Sequence, residues 1–255
     1  MGPGLRILKF PWDMLVLAVS APLFFVAYPA MCLPWLAAHA LLGRPPDLAL
    51  QVYSHWFFRW FFALAAGLSP GVRLRLDPAL RQTRGCVLVC NHVSYLDPLI
   101  LVSLLPRHTT LIKATWTRTP VFGWFVRRLG FIPAMGALSG MTEARIQRLK
   151  AYLEAGGNLF VFPEGRRARD GRLQPFHKGA FALARLCGAE LRAWRIQGTE
   201  RWFPPGTYWF QTFSGAELQV QELGRLSPDY RDPTFSVPAF AQQVEALYRR
   251  EPPGP

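Results

Sequence analysis

The sequence is short of acid, of cysteine and of the glycine patterns that bind nucleotides. Its 255 residues hold 16 Asp and Glu against 29 Lys and Arg, a formal charge of +13. A basic balance of that size suits nucleic acid or an anionic membrane leaflet. Yet 51% of the residues are hydrophobic and the mean hydropathy is +0.12, which favours the leaflet and argues against nucleic acid as a partner. Cysteine occurs at Cys32, Cys86, Cys90 and Cys187 only. Cys86 and Cys90 stand four apart on one candidate strand, too far for a disulfide, and no His or Cys spacing marks a metal site. They read as reduced, buried thiols. No repeat and no Rossmann or P-loop pattern occurs, and Ser94 lacks the GxSxG surroundings of a nucleophile elbow.

Charge is missing altogether from Met14 to Gly43, an apolar run longer than a bilayer span requires. Pro22, Pro29 and Pro34 interrupt it, each lacking a backbone donor, so the run forms either one kinked span or a re-entrant pair of short helices. Asp13 between the basic start (Arg6, Lys9) and the run argues against a cleaved signal peptide. With Arg44, Arg59, Arg73 and Arg75 after it, the positive-inside tendency puts the body on the cytoplasmic side of the inner membrane. Residues 51–67, with two Trp, four Phe and Arg59, read as an interfacial helix.

Beyond Ser69-Pro70-Gly71 strands and helices alternate, which implies an α/β mixed-sheet domain preceded by a hydrophobic membrane-associating helical segment. VRLRL, GCVLVC, TTLIKA, FIPAM and NLFVF read as strands, and AELRAWRIQG as an edge strand. Helices are expected from about Ser94, over VFGWFVRRLG, over MTEARIQRLKAYLEAGG and after Lys178. The expected division is 1–68 membrane-associating, 69–226 α/β domain, and 227–255 a helix with a Pro-rich tail.

Two strand ends carry the chemistry. GCVLVC runs into Asn91-His92-Val93-Ser94-Tyr95-Leu96-Asp97. Asp97, in the first turn of the following helix, can bind one nitrogen of His92 and leave the other to take a proton near neutral pH. Asn91 and Ser94 cap the helix or hold the loop. NLFVF runs into Pro163-Glu164-Gly165-Arg166-Arg167, followed by Arg169, Arg172 and Lys178. Guanidinium groups on a loop beside a catalytic histidine suit a phosphate held by bidentate bonds.

These segments resemble the glycerolipid acyltransferases of the 1-acylglycerol-3-phosphate acyltransferase type, over roughly Val72 to Pro205. Asn91 to Asp97 matches the family's NHxSxxD block. Phe162-Pro163-Glu164-Gly165-Arg166-Arg167 matches FPEGTR, with Arg166 for the usual Thr. The resemblance implies His92 as base and Asp97 as its partner. It implies that Glu164, Gly165, Arg166, Arg167 and Lys178 bind the acceptor. It also implies acyl-CoA or acyl-carrier protein as co-substrate, no cofactor, and transfer to a lysophospholipid, foremost 1-acylglycerol-3-phosphate giving phosphatidate. The chain departs from the pattern at Gly136, where the second block has an arginine, and Arg127 or Arg128 is the expected substitute. It departs again at Ala193, for proline, and at Arg195, for an apolar residue. The lost arginine favours an acceptor with another headgroup. A lipid-ester hydrolase and a non-catalytic membrane-anchored scaffold are the rival readings.

Overall fold

A computed structural model describes residues 3–134, 141–168 and 172–249. Gly136, the Arg169-Asp170-Gly171 turn and the terminal EPPGP lie outside the described residues.

The charge-free run is one continuous helix. Helix α1 (Pro3–Pro22) passes through a π-helical turn (Leu23–Ala27) into α2 (Tyr28–Leu41). From Lys9 to Leu41 it has 33 residues, about 50 Å at the α-helical rise, so it is long and apolar enough to cross a bilayer. The re-entrant pair is not formed. Proline 29 would strike the carbonyl of residue 25 in a regular α-helix; the π turn, in which the Tyr28 N–H reaches Leu23 O, widens the backbone just before it. Phe25 is 73% exposed, and Val26, Met31 and Leu33 are exposed beside it. Asp13 is buried, accepting from Thr212 N (3.0 Å) and Thr212 Oγ1 (2.6 Å), with Lys9 Nζ at 3.6 Å.

Helix α3 (Pro46–Gly67) packs on α2 through polar pins between aromatic rings. Tyr28 Oη and Ser54 Oγ are 2.8 Å apart, Tyr53 donates to Tyr28 O (2.7 Å), and Trp35 Nε1 donates to Ala49 O (2.8 Å). Tyr53, Phe58, Phe61 and Phe62 are buried, whereas Trp56, Trp60 and Leu64 form an exposed stripe at helical spacing. The expected interfacial helix is thus a packed helix with one aromatic stripe left outside.

The remaining elements, in chain order, are β1 (Arg73–Leu76), β2 (Val87–Cys90), α4 (Asp97–Leu104), β3 (His108–Lys113) and α5 (Pro120–Arg128). Then follow β4 (Ile132–Ala134), α6 (Glu143–Glu154), β5 (Asn158–Val161), α7 (Gly179–Cys187) and β6 (Leu191–Gln197). The last three are α8 (Thr199–Trp202), β7 (Glu217–Leu226) and α9 (Val237–Arg249).

The chain forms two compact units. The first holds the chain to Asp77, Val93–Pro106 and Ile196–Val220. In it β1 runs parallel to the start of β7, from Arg73↔Glu217 to Leu76↔Val220. The second holds Pro78–His92, Arg107–Arg195 and the described residues from Gln221 onward. Its strands lie in the order β6-β2-β5-β3-β4, all parallel, with Val87 opposite both Leu191 and Leu159 and His108 opposite Asn158. Parallel strands covered on both faces need apolar residues at every position, and VLVC and NLFV are buried throughout. Over them pack Leu149 and Leu153 of α6, Phe181 and Leu183 of α7, and Phe240 and Val244 of α9. Burial pushes the Cys86 thiol up to about 12 and that of Cys187 to about 11, so both stay protonated.

Three expectations change. Strand β6 is interior, between β2 and β7; its arginines mislead because each finds a partner. Arg192 pairs with Glu190, and Arg195 is buried with Nη2 donating to Tyr248 O (2.6 Å) at the end of α9. The Tyr248 hydroxyl, held well above its ordinary pKa by burial, lies 2.8 Å from Val89 O and 2.9 Å from Trp194 O. Strand β7 was not foreseen in ELQVQELGRL. Helix α4 begins at Asp97 rather than near Ser94.

Candidate active site

The C-terminal ends of β2 and β5 are adjacent, since Val89 pairs with Val161. Ligands of parallel α/β sheets bind outside such strand ends. In the second unit these ends deliver His92 and the Phe162–Ala168 loop. The His92 imidazole stacks on Phe162, ring centroids 4.3 Å apart at 24°. Its main chain is held on both sides, His92 N–H donating to Glu164 Oε1 (2.9 Å) and His92 O accepting from Ala168 N–H (2.8 Å). Stacking engages one face of the ring.

Glu164 is 2% exposed. Its second oxygen, Oε2, accepts from Gln174 N–H at 2.8 Å. Both oxygens therefore serve main-chain donors, and the carboxylate fastens the histidine to the loop before α7. Gly165 is exposed at φ +66°, with space for a Cβ taken by His177 Cδ2 at 2.8 Å. Arg166 is exposed and donates to Gln174 Oε1 (2.9 Å). Arg167 is half-buried, and Lys178 is exposed just before α7. At the end of α5, Arg127 donates to Thr117 O and Arg128 lies over the Trp124 ring at 5.9 Å.

Replacing Glu164 with glutamine tests the clamp. The amide offers one acceptor where two N–H groups need one each, and its NH₂ would face a donor. A loss of about 1–3 kcal/mol is expected, read as a lower urea midpoint with an unchanged slope. A midpoint equal to wild type would mean that the two bonds add nothing.

In the first unit, Asp97 is fully buried. Its Oδ2 accepts from Val93 N–H and Ser94 N–H, both at 2.7 Å, and its Oδ1 accepts from Thr199 Oγ1 at 2.7 Å. Val93 is bonded covalently to His92, so this carboxylate fixes the peptide that follows the histidine. Neither Asn91 nor Ser94 caps α4, whose N-cap is Leu96; Ser94 Oγ instead donates to Phe203 O (3.1 Å) and holds the loop. Asn91 is half-buried.

Thr199 and the Gln174 N–H are partners that the sequence did not announce. The signal for Thr199 was Gly198 before it. Gly198 has φ +85°, and a Cβ there would lie 2.2 Å from Glu217 O, so only glycine makes this turn out of β6. Among the described residues no three His, Cys, Asp or Glu side chains converge as a metal-holding group.

A histidine at the end of a central parallel strand, fastened by a buried carboxylate, puts the second unit among the α/β proteins that work at their strand ends. An acyltransferase family model matches residues 72–196. The chain is 32% identical over 190 residues to the lyso-ornithine lipid O-acyltransferase of Pseudomonas aeruginosa, covering 73% of this chain and 70% of that protein. It is 34% identical over 122 residues to the chloroplastic 1-acyl-sn-glycerol-3-phosphate acyltransferase BAT2 of Brassica napus, 48% of this chain. It is 28% identical over 190 residues to the chloroplastic LPAT1 of Arabidopsis thaliana. It spans 36% and 53% of the length of those two plant proteins. The crystal structure of the 1-acyl-sn-glycerophosphate acyltransferase PlsC from Thermotoga maritima has the same fold, with a TM-score of 0.66 at 19% identity over 95% of each chain. This chain belongs to the acyltransferase family.

Proposed function

We propose that the chain moves a fatty acyl group from a thioester, acyl-CoA or acyl-carrier protein, to the free hydroxyl of a lysophospholipid at the cytoplasmic face of a membrane. One observation carries the proposal: an imidazole stacked at a strand end, on a main chain that a buried carboxylate pins. His92 takes the hydroxyl proton while the oxygen attacks the thioester carbonyl. Asp97 holds the loop that follows the histidine. When the tetrahedral intermediate collapses, the C–S bond breaks and the imidazolium returns the proton to the leaving thiolate. Glu164 keeps His92 in register, and Arg166, Arg167 and Lys178 bind the acceptor headgroup. The helix from Lys9 to Leu41 anchors the chain in the lipid that supplies the acceptor.

The acceptor proposed first is 1-acylglycerol-3-phosphate, with phosphatidate as product. A second acceptor class, a lysolipid with a cationic amine such as a lyso-ornithine lipid, is favoured by Gly136 at the place of the second block's arginine. It is favoured also by Glu200, next to Thr199, whose Oε2 is buried without a hydrogen-bond partner among the described residues. The test is acyl transfer by detergent-purified protein, with labelled acyl-carrier protein and acyl-CoA each offered to lysophosphatidate and lyso-ornithine lipid. Phosphatidate as the main product supports the first acceptor and acylated ornithine lipid the second. Free fatty acid without transfer would make the protein a hydrolase, and no turnover with any acceptor would favour the scaffold.

A further inference from the structure

No acidic residue occurs from Pro98 to Thr142, while Arg107, Lys113, Arg118, Arg127 and Arg128 all fall within it. In the folded chain four of these cations gather on one short piece of the second unit. The piece runs from Lys113 at the end of β3, through a 3₁₀ turn (Ala114–Arg118), into α5. Lys113, Arg118, Arg127 and Arg128 are exposed there.

Large apolar side chains are exposed between them. Val121 is 68% exposed, Trp116 50% and Phe122 47%. Trp116 and Phe122 touch edge to face, centroids 5.5 Å apart at 77°, so the turn and the helix present one apolar patch. The opposite side of α5 is buried, through Gly123 and Val126. The patch is preformed. A Cβ on Gly123 would stand 2.5 Å from Thr117 O, and Arg127 donates to that same carbonyl. Thr119 Oγ1 donates to Trp116 O (2.8 Å) and Gly123 N–H to Thr119 O (2.9 Å).

We propose that the Lys113–Arg128 turn and helix is a second membrane contact, lying in the headgroup layer of an anionic lipid surface independently of the N-terminal helix. Trp116, Val121 and Phe122 enter the layer, and Lys113, Arg118, Arg127 and Arg128 meet lipid phosphates. Aromatic rings are favoured at that depth, and a short helix with one apolar and one cationic flank lies in the plane of the interface. The charge alone would also suit an acidic carrier protein. The exposed Trp, Phe and Val favour lipid, because a soluble carrier would leave them in water whenever it departs. The local acid deficit removes the repulsion that anionic headgroups would otherwise meet.

The test places an environment-sensitive fluorophore on a Val121→Cys variant of the full chain, the four native thiols being buried in the folded protein. A Gln242→Cys variant, labelled on the exposed side of α9, is the reference. Each is reconstituted into phosphatidylcholine vesicles with and without phosphatidylglycerol. The label at position 121 should shift to the blue and be quenched several-fold more by lipids carrying a shallow nitroxide than the label at 242. Phosphatidylglycerol should increase the effect, and a Lys113→Glu/Arg118→Glu pair in the same background should return it to the level seen without phosphatidylglycerol. A water-like, unquenched label at position 121 in anionic vesicles overturns the proposal. So does a label that ignores lipid and responds only to added acyl-carrier protein. The readout needs no turnover, so its failure is distinct from a failure of the acyltransferase reading.

Discussion

His92→Ala should lower the rate of acyl transfer by about 10²–10⁴-fold, the usual contribution of a positioned general base, while the fold stays intact. The reason lies in how the residue is held. The two hydrogen bonds at this position, to Glu164 Oε1 and from the Ala168 N–H, are made by the main chain, and alanine keeps both. What leaves is the imidazole, with its stacking on Phe162. The ring is half-buried, so little core packing is lost and a thermal melt should move by only a few degrees. His92→Gln should not restore the rate, because an amide can hydrogen-bond a hydroxyl but cannot accept its proton near neutral pH. The measurement is kcat/KM with thioester donor and the best acceptor, beside a melt of each variant. A rate within a few-fold of wild type for His92→Ala would remove the histidine from the chemistry.

Much of this arrangement was legible because strand ends and motifs are local. VLVC is apolar at every position and NLFV at all but Asn158, which marks them as central parallel strands, and of the polar residues that follow them Glu164 meets the His92 main chain. The sequence singles out His92, Asp97 and Glu164 in this way. The start of α4 was readable too, yet was placed three residues early. A helix capped by Ser94 would need the N–H of residue 98 to bond Ser94 O, and residue 98 is proline. The observed start at Asp97, with Pro98 in the first turn, avoids the missing donor.

What the sequence did not reveal depends on partners brought from far along the chain. The Gln174 N–H and the Thr199 hydroxyl complete the two buried carboxylates, 10 and 102 residues away from them. Strand β6 looked like an edge because Arg192 and Arg195 look solvated. The first is neutralised by Glu190, and the second is taken up by carbonyls at the end of α9. In β7 only Leu218 and Val220 are apolar and buried among Glu, Gln and Arg, so the alternation was too short to stand out. The prolines of the N-terminal run left one kinked span and a re-entrant pair both open, and the helix runs on through a single π turn just before Pro29.

Asp97 should separate charge from architecture. Asp97→Ala removes acceptors from Val93 N–H, Ser94 N–H and the Thr199 hydroxyl at a site without solvent. Leaving those donors unpaired should cost about 3–5 kcal/mol, so this variant is expected to unfold at much lower urea and to be inactive for that reason alone. Asp97→Asn is different. Its amide oxygen can stand where Oδ2 accepts the two N–H groups, and its NH₂ can face Thr199, whose hydroxyl turns to accept instead. The stability loss should stay near about 1 kcal/mol, yet the negative charge is gone. If that charge favours the imidazolium on His92, kcat should fall by about 10²–10⁴-fold in a protein that remains folded. Thr199→Val, which keeps the charge and removes one donor, should cost about 1–2 kcal/mol with a far smaller loss of rate. Urea titrations and kcat on the three variants give the answer. An asparagine variant as fast as wild type would confine Asp97 to fastening the loop, and His92 would then draw no electrostatic help from this carboxylate.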